Sequence, residues 1–257
     1  LSPPRSQRLL EPAPARTSAL AWVKGKALGA GSFGTVFKAL DPATKQIFAV
    51  KEVQFEDGSC SSKQRERLNV ELSICQNLRH PHIVSYLGHD YTGQSLCIYL
   101  EYVPGGSMAC VLSEFGALEG KTLRKATLGM LEGLDFLHTR SPPVVHRDLK
   151  GANLLVDLNM TVKLTDFGCS KWSSGTRSRT TLGSIPWMAP EVINTEKGHG
   201  RKADIWSFGC TVIEMATAEK PWGNRAFDNM IFALKHIATS ATSPPLPEHA
   251  PAKLRAL

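Results

Sequence analysis

The chain has 257 residues, 42% hydrophobic and 21% charged, which are ordinary fractions for a soluble globular protein long enough to bury a sizeable core. Its net charge of +7 is spread along the chain rather than gathered in a stripe, so it argues little for a nucleic-acid partner and fits an anionic nucleotide or acidic docking segments equally well. Six scattered cysteines (Cys60, Cys75, Cys97, Cys110, Cys169, Cys210) without a CxxC pair exclude a disulfide-stapled secreted scaffold, and no apolar run approaches a membrane span.

Residues 1–20 are rich in Pro, Ser, Ala and Arg without a helical or strand period, which predicts a linker or disordered arm. The start at Leu1 lacks both a signal core and an initiator Met, so a piece of a longer cytoplasmic protein is expected. From Trp22 to Val103, β-type runs dominate: Ala27-Leu28, Thr35-Val36-Phe37, Ile47 to Val50, Ile83 to Leu87 and Leu96 to Leu100. One helical stretch, Lys63 to Leu78, interrupts them. After Pro104-Gly105-Gly106 the period becomes helical, with Leu123, Ala126, Met130, Leu134 and Leu137 on one face, broken by the strand-like runs Leu154-Leu155-Val156 and Val162-Lys163-Leu164. Strands first and helices second imply an α+β chain with a small β-rich lobe over residues 21–103 and a larger α-rich lobe over residues 104–257.

Gly29-Ala30-Gly31-Ser32-Phe33-Gly34-Thr35-Val36 is a glycine-rich loop whose missing side chains let backbone N–H groups approach phosphate oxygens. A dinucleotide-binding turn shows the same glycines, with Glu52 near the offset of its ribose acid, but it requires a helix next. Thr35-Val36-Phe37 is β-branched and aromatic, and Asp41-Pro42 then breaks the chain, so a hairpin fits better. Beyond it, Phe48-Ala49-Val50-Lys51 places one lysine at the end of an apolar strand, and Glu71 sits in the helical stretch. Either alone reads as a surface residue.

The run Val144-Val145-His146-Arg147-Asp148-Leu149-Lys150-Gly151-Ala152-Asn153-Leu154-Leu155 fixes several polar types at set offsets between apolar ones. Its chemistry is coherent: Asp148 can orient a hydroxyl and accept its proton, Lys150 can neutralise charge on a transferring phosphoryl group, and Asn153 can ligate magnesium. Asp166-Phe167-Gly168 places a second hard oxygen ligand at a strand end. Met188-Ala189-Pro190-Glu191 and the apolar helix opening at Asp204 follow.

Together, from Trp22 to about Lys235, these motifs resemble the catalytic domain of eukaryotic serine/threonine protein kinases. The resemblance implies the two-lobed protein kinase fold: a small antiparallel β-rich N-lobe with one key helix, and a larger helical C-lobe. It implies ATP and Mg2+, with Asp148 as base, Lys150 beside it, and Lys51 paired with Glu71 to aim at the phosphates. Asn153 and Asp166 would hold the metal. Gly29, Ala30, Gly31, Ser32, Phe33 and Gly34 would cover the phosphates; Val36, Ala49 and Leu155 would enclose the adenine. Leu100 would sit at the gatekeeper position, and Glu101-Tyr102-Val103 would form the hinge. Asp204 would hold the His146–Arg147 backbone.

Lys150 two residues after Asp148, with Ser184 in Gly183-Ser184-Ile185-Pro186-Trp187, is the serine/threonine form. The Gly151-Ala152 pair, where many kinases have Pro-Glu, is similar to the mitogen-activated protein kinase kinase kinases of the MEKK kind, implying a MAP kinase kinase as protein substrate. Arg147 and Lys171 would receive a phosphate on Thr180 or Thr181. A non-catalytic pseudokinase scaffold is the alternative, disfavoured by the retention of Lys51, Asp148 and Asp166. The resemblance further implies a C-lobe lacking its final helices, with Glu191 left as a buried carboxylate without its family arginine.

Overall fold

The computed structural model describes residues 21–31, 34–55, 62–92, 94–166, 184–194, 200–223, 229–240 and 242–246, apart from a few side chains of the first helix and that of Met230. Strands β1 (Val23–Gly31), β2 (Gly34–Leu40), β3 (Ile47–Gln54), β4 (Tyr86–Thr92) and β5 (Ser95–Glu101) form an antiparallel sheet ordered β1-β2-β3-β5-β4. Helix α1 (Ser62–Gln76) lies between β3 and β4. Strand alternation sorts the side chains onto two faces. Phe48, Val50, Cys97 and Tyr99 cluster on one with Trp22 against them. On the other, Leu96 and Ile98 meet Leu68 and Leu72 of α1.

The helical part begins at α2 (Met108–Phe115), which Ser107 caps by accepting the Cys110 N–H at 3.2 Å. Helix α3 (Gly120–His138) buries Leu123, Ala126, Met130, Leu134 and Leu137, the predicted stripe. A two-stranded ribbon of β6 (Leu154–Val156) and β7 (Val162–Leu164) packs with it into the largest core, along with Phe208, Val212 and Met215 of a later helix. After α4 (Pro190–Asn194), helix α5 (Arg201–Thr217) runs through the interior, and α6 (Met230–Thr239) follows, capped by Asn229. No helix among the described residues is long and apolar enough to cross a membrane.

The run Ile83 to Leu87 is not one strand, because β4 begins only at Tyr86. Ile83 and Val84 are buried, and their segment bonds β7 instead: Val84 N–H donates to the Leu164 carbonyl and Leu164 N–H to that of His82, both at 2.9 Å. An apolar run marks burial, and burial here ties the chain between α1 and β4 to the helical part.

Candidate active site

The glycines sit on the β1–β2 hairpin, where Gly29 pairs with Val36 and Gly31 with Gly34. A strand rather than a helix follows them, which excludes the dinucleotide-binding turn. Gly34 has φ 123°, and a Cβ there would lie 1.8 Å from the Glu52 carbonyl oxygen, so only glycine lets the hairpin lie this close to β3. Ala30 and Gly29 are exposed; Ser32 and Phe33 lie outside the described residues.

Val36 lies opposite Lys51 across β2 and β3, and Ala49 opposite Leu100 across β3 and β5. By alternation, Ala49 and Lys51 project from the same side of β3. One face therefore gathers Val36, Ala49, Lys51 and Leu100, and α1 packs on that face. Glu71 belongs to α1, but its side chain lies outside the described residues. Lys51 is 3% exposed, and its Nζ stands 2.6 Å from Asp166 Oδ1. Burial pushes the Asp166 carboxyl up, yet the Lys51 ammonium outweighs it and holds the group below the ordinary carboxylate range.

A hinge contact from Glu101 to a base would fall to its backbone. Its carboxylate accepts from Lys163 Nζ at 2.9 Å and from the Ser85 N–H at 3.1 Å, which leaves only its backbone for such a contact. Val103 is buried, and Leu155 bridges Ser107, beside the chain that leaves Val103.

The segment from Val144 to Asn153 is mounted on α5. Asp204, wholly buried, accepts the His146 N–H at 2.7 Å and the Arg147 N–H at 2.8 Å, while His138 Nε2 lies 2.8 Å from its Oδ2. Burial raises its pKa, but His138, His146 and the two amides prevail and lower it. Arg147 and Asp166 have left-handed backbones, φ 73° and 62°, a conformation costly for non-glycine residues. Arg147 immediately precedes Asp148, and Asp166 is the partner of Lys51. Lys150 Nζ reaches the two Asp148 oxygens at 3.1 and 2.9 Å and Ser184 Oγ at 2.6 Å. Asn153 gives both amide protons to Asp148, to its carbonyl at 2.7 Å and its Oδ2 at 2.8 Å.

These residues fit a magnesium ion. Asn153 Oδ1 is the amide atom not committed to Asp148, and Thr165 N–H donates to the Asn153 carbonyl at 3.1 Å, tying Asn153 to the residue before Asp166. The described residues hold no group of three or more His, Cys, Asp or Glu able to cage a metal. One carboxylate and one amide oxygen are the sparse protein set that Mg2+ uses when phosphates and water complete its octahedron.

A family model described as "Protein kinase domain" matches residues 22–256. The chain belongs to the protein kinase domain family. This kinase domain is 42% identical over 233 residues to Mitogen-activated protein kinase kinase kinase A of Dictyostelium discoideum, covering 89% of the chain and 24% of that protein. To Mitogen-activated protein kinase kinase kinase 3 of Homo sapiens it is 45% identical over 236 residues, 89% of the chain and 37% of the relative. Mitogen-activated protein kinase kinase kinase 2 of Arabidopsis thaliana is 40% identical over 257 residues, 96% and 38%. The kinase domain thus spans between a quarter and two-fifths of the length of these curated relatives. Its sheet and helical part are the two lobes of that fold.

One expectation is corrected. Glu191 is exposed, so the cost of a buried carboxylate without its arginine does not arise there. Phe167, Gly168, Lys171, Thr180 and Thr181 lie outside the described residues. A buried acid to which sequence reading gave no role is Glu214. It accepts from the Gly151 N–H at 2.8 Å and from Trp187 Nε1 at 2.9 Å, and burial raises its pKa. A lone carboxylate in the apolar run Cys210 to Ala216 was the available signal.

Proposed function

We propose that this domain transfers the γ-phosphate of Mg-ATP to serine or threonine of a protein substrate, and that the substrate is a MAP kinase kinase. The observation that carries the reading is the Lys150 ammonium shared between both Asp148 oxygens and Ser184 Oγ. A carboxylate held by a lysine and an amide is fixed in place to orient a hydroxyl and take its proton as the phosphoryl group arrives. Lys150 lies where it offsets charge on that group. Lys51 and Asp166 meet at 2.6 Å, so one point offers a cation for phosphate oxygens and an anion for the metal. Asn153 and Asp166 would hold Mg2+, which would supply positive charge against the phosphate oxygens.

The retained and assembled Lys51, Asp148 and Asp166 argue against a non-catalytic scaffold. The printed names of the relatives support a place at the kinase-kinase-kinase tier. Among the described residues Cys97, Cys110 and Cys210 are free thiols, which supports a cytoplasmic location. The test is incubation with Mg-ATP and a panel of catalytically inactive MAP kinase kinases, with phosphosites read by mass spectrometry. Stoichiometric modification of serine or threonine in one or more of them supports the reading, whereas tyrosine modification or none refutes it.

A further inference from the structure

Helix α5 is apolar, yet it carries a buried polar stripe of Asp204, Ser207, Thr211 and Glu214 at helical spacing. Asp204 holds the first half of the catalytic loop through the amides of His146 and Arg147. Ser207 donates to the Trp187 carbonyl at 2.8 Å. At the far end, a single oxygen of Glu214, Oε2, accepts from both Gly151 and Trp187. Gly151 follows Lys150, and Trp187 closes the short turn that begins at Ser184, with its N–H on the Ser184 carbonyl at 3.0 Å. Lys150 and Ser184 are themselves 2.6 Å apart.

Gly151 is not needed for its backbone angle, since it lies outside the left-handed region. It is needed for space. A Cβ there would lie 2.5 Å from Glu214 Oε1 and 2.8 Å from the carboxyl carbon. The glycine of the Gly151-Ala152 pair is thus the counterpart of the buried acid.

We propose that Glu214 is a positioning residue for phosphoryl transfer: it ties the segment carrying Lys150 to the one carrying Ser184, and Gly151 is the notch that admits it. The inference rests on the phosphotransfer reading above. Glu214 touches neither substrate nor metal; it sets how Lys150 meets Asp148 and Ser184. Truncating it leaves two buried donors, the Gly151 amide and the Trp187 indole, without this acceptor. Because both bonds end on one oxygen, glutamine can keep both.

The experiment measures kcat, KM for ATP, nucleotide affinity and melting temperature for wild type, E214Q, E214A, G151A and the double variant G151A/E214A, with a phosphorylatable protein substrate. E214A and G151A are each expected to lower kcat by roughly tenfold or more, with KM for ATP held within about twofold. E214Q should restore most of the rate. The double variant should be no slower than E214A alone, because removing the carboxylate makes room for the added methyl group. Losses in G151A and E214A that simply multiply, an E214Q as slow as E214A, or a G151A with the wild-type rate would each overturn the proposal. Should E214A fail to fold, seen as lost nucleotide binding, G151A and E214Q still decide the matter. The wild-type control separates the two readings: a wild type without transfer refutes the proposed function and this inference with it, whereas an active wild type with an unaltered G151A refutes the inference alone.

Discussion

Asp204 pins Arg147 in a left-handed backbone conformation by accepting its N–H at 2.8 Å. The strain is held at the residue preceding Asp148, where a relaxed loop would carry that carboxylate elsewhere. Asp204→Asn keeps the shape but replaces one acceptor oxygen with a donor facing a backbone donor. We expect a loss of about 2–3 kcal/mol in stability, measured by denaturant unfolding, and a fall in kcat larger than the rise in KM for ATP.

Lys51 and Asp166 form a second paired unit, reaching from the sheet to the end of β7. Lys51→Met fills the same buried space without charge and should remove most turnover by leaving the phosphates unaimed. Asp166→Asn should do likewise and raise the magnesium concentration needed for half-maximal rate. Steady-state kinetics beside a melting curve checks both: rates near wild type in either variant contradict the assignment.

Ser184 meets Lys150 through a hydroxyl alone. Ser184→Ala should lower kcat by roughly threefold to tenfold and Ser184→Thr should recover it, since threonine supplies the same oxygen. A threonine variant as slow as alanine would show that Lys150 does not depend on this contact.

The lowered histidines set the sign of the pH dependence near neutrality, with Glu214, whose pKa burial raises, working in the opposite direction. Burial lowers the pKa of His146, and also of His80 and His89, so below the ordinary imidazole value near 6.5 the unfolded chain binds protons that the folded one refuses. Stability is then full above about pH 6.5 and falls as pH drops below it. Asp166 and Asp204, both lowered, add a further loss below the ordinary carboxylate value near 3.9. The melting temperature should decline from pH 7 to 5, and His146→Phe should flatten that slope. A melting temperature that rises on acidification would contradict this sign.

Much of this was legible in the sequence for identifiable reasons. Thr35-Val36-Phe37 and Phe48-Ala49-Val50 carry β-type residues whose local preference agrees with the sheet, and the α3 stripe repeats at the helical period over nineteen residues. The set offsets from His146 to Asn153 placed four polar groups that the structure brings into one network. Ile83 and Val84 misled because burial against β7 and burial in a sheet leave the same apolar signature. Glu214 was missed because its partners, Gly151 and Trp187, lie 63 and 27 residues away, and no local pattern links an acid in one helix to a glycine in a distant loop.

The most direct test of the central claim is a single-turnover measurement of phosphoryl transfer from Mg-ATP to a protein substrate by wild type and Asp148→Asn, with nucleotide affinity determined on the same samples. Asp148 is held by Lys150 at 2.9 Å and by Asn153 at 2.8 Å, and asparagine keeps its shape and one acceptor oxygen for them while removing the base. The account predicts transfer slowed by about a hundredfold or more with nucleotide affinity unchanged. Equal transfer rates in the two proteins would contradict it.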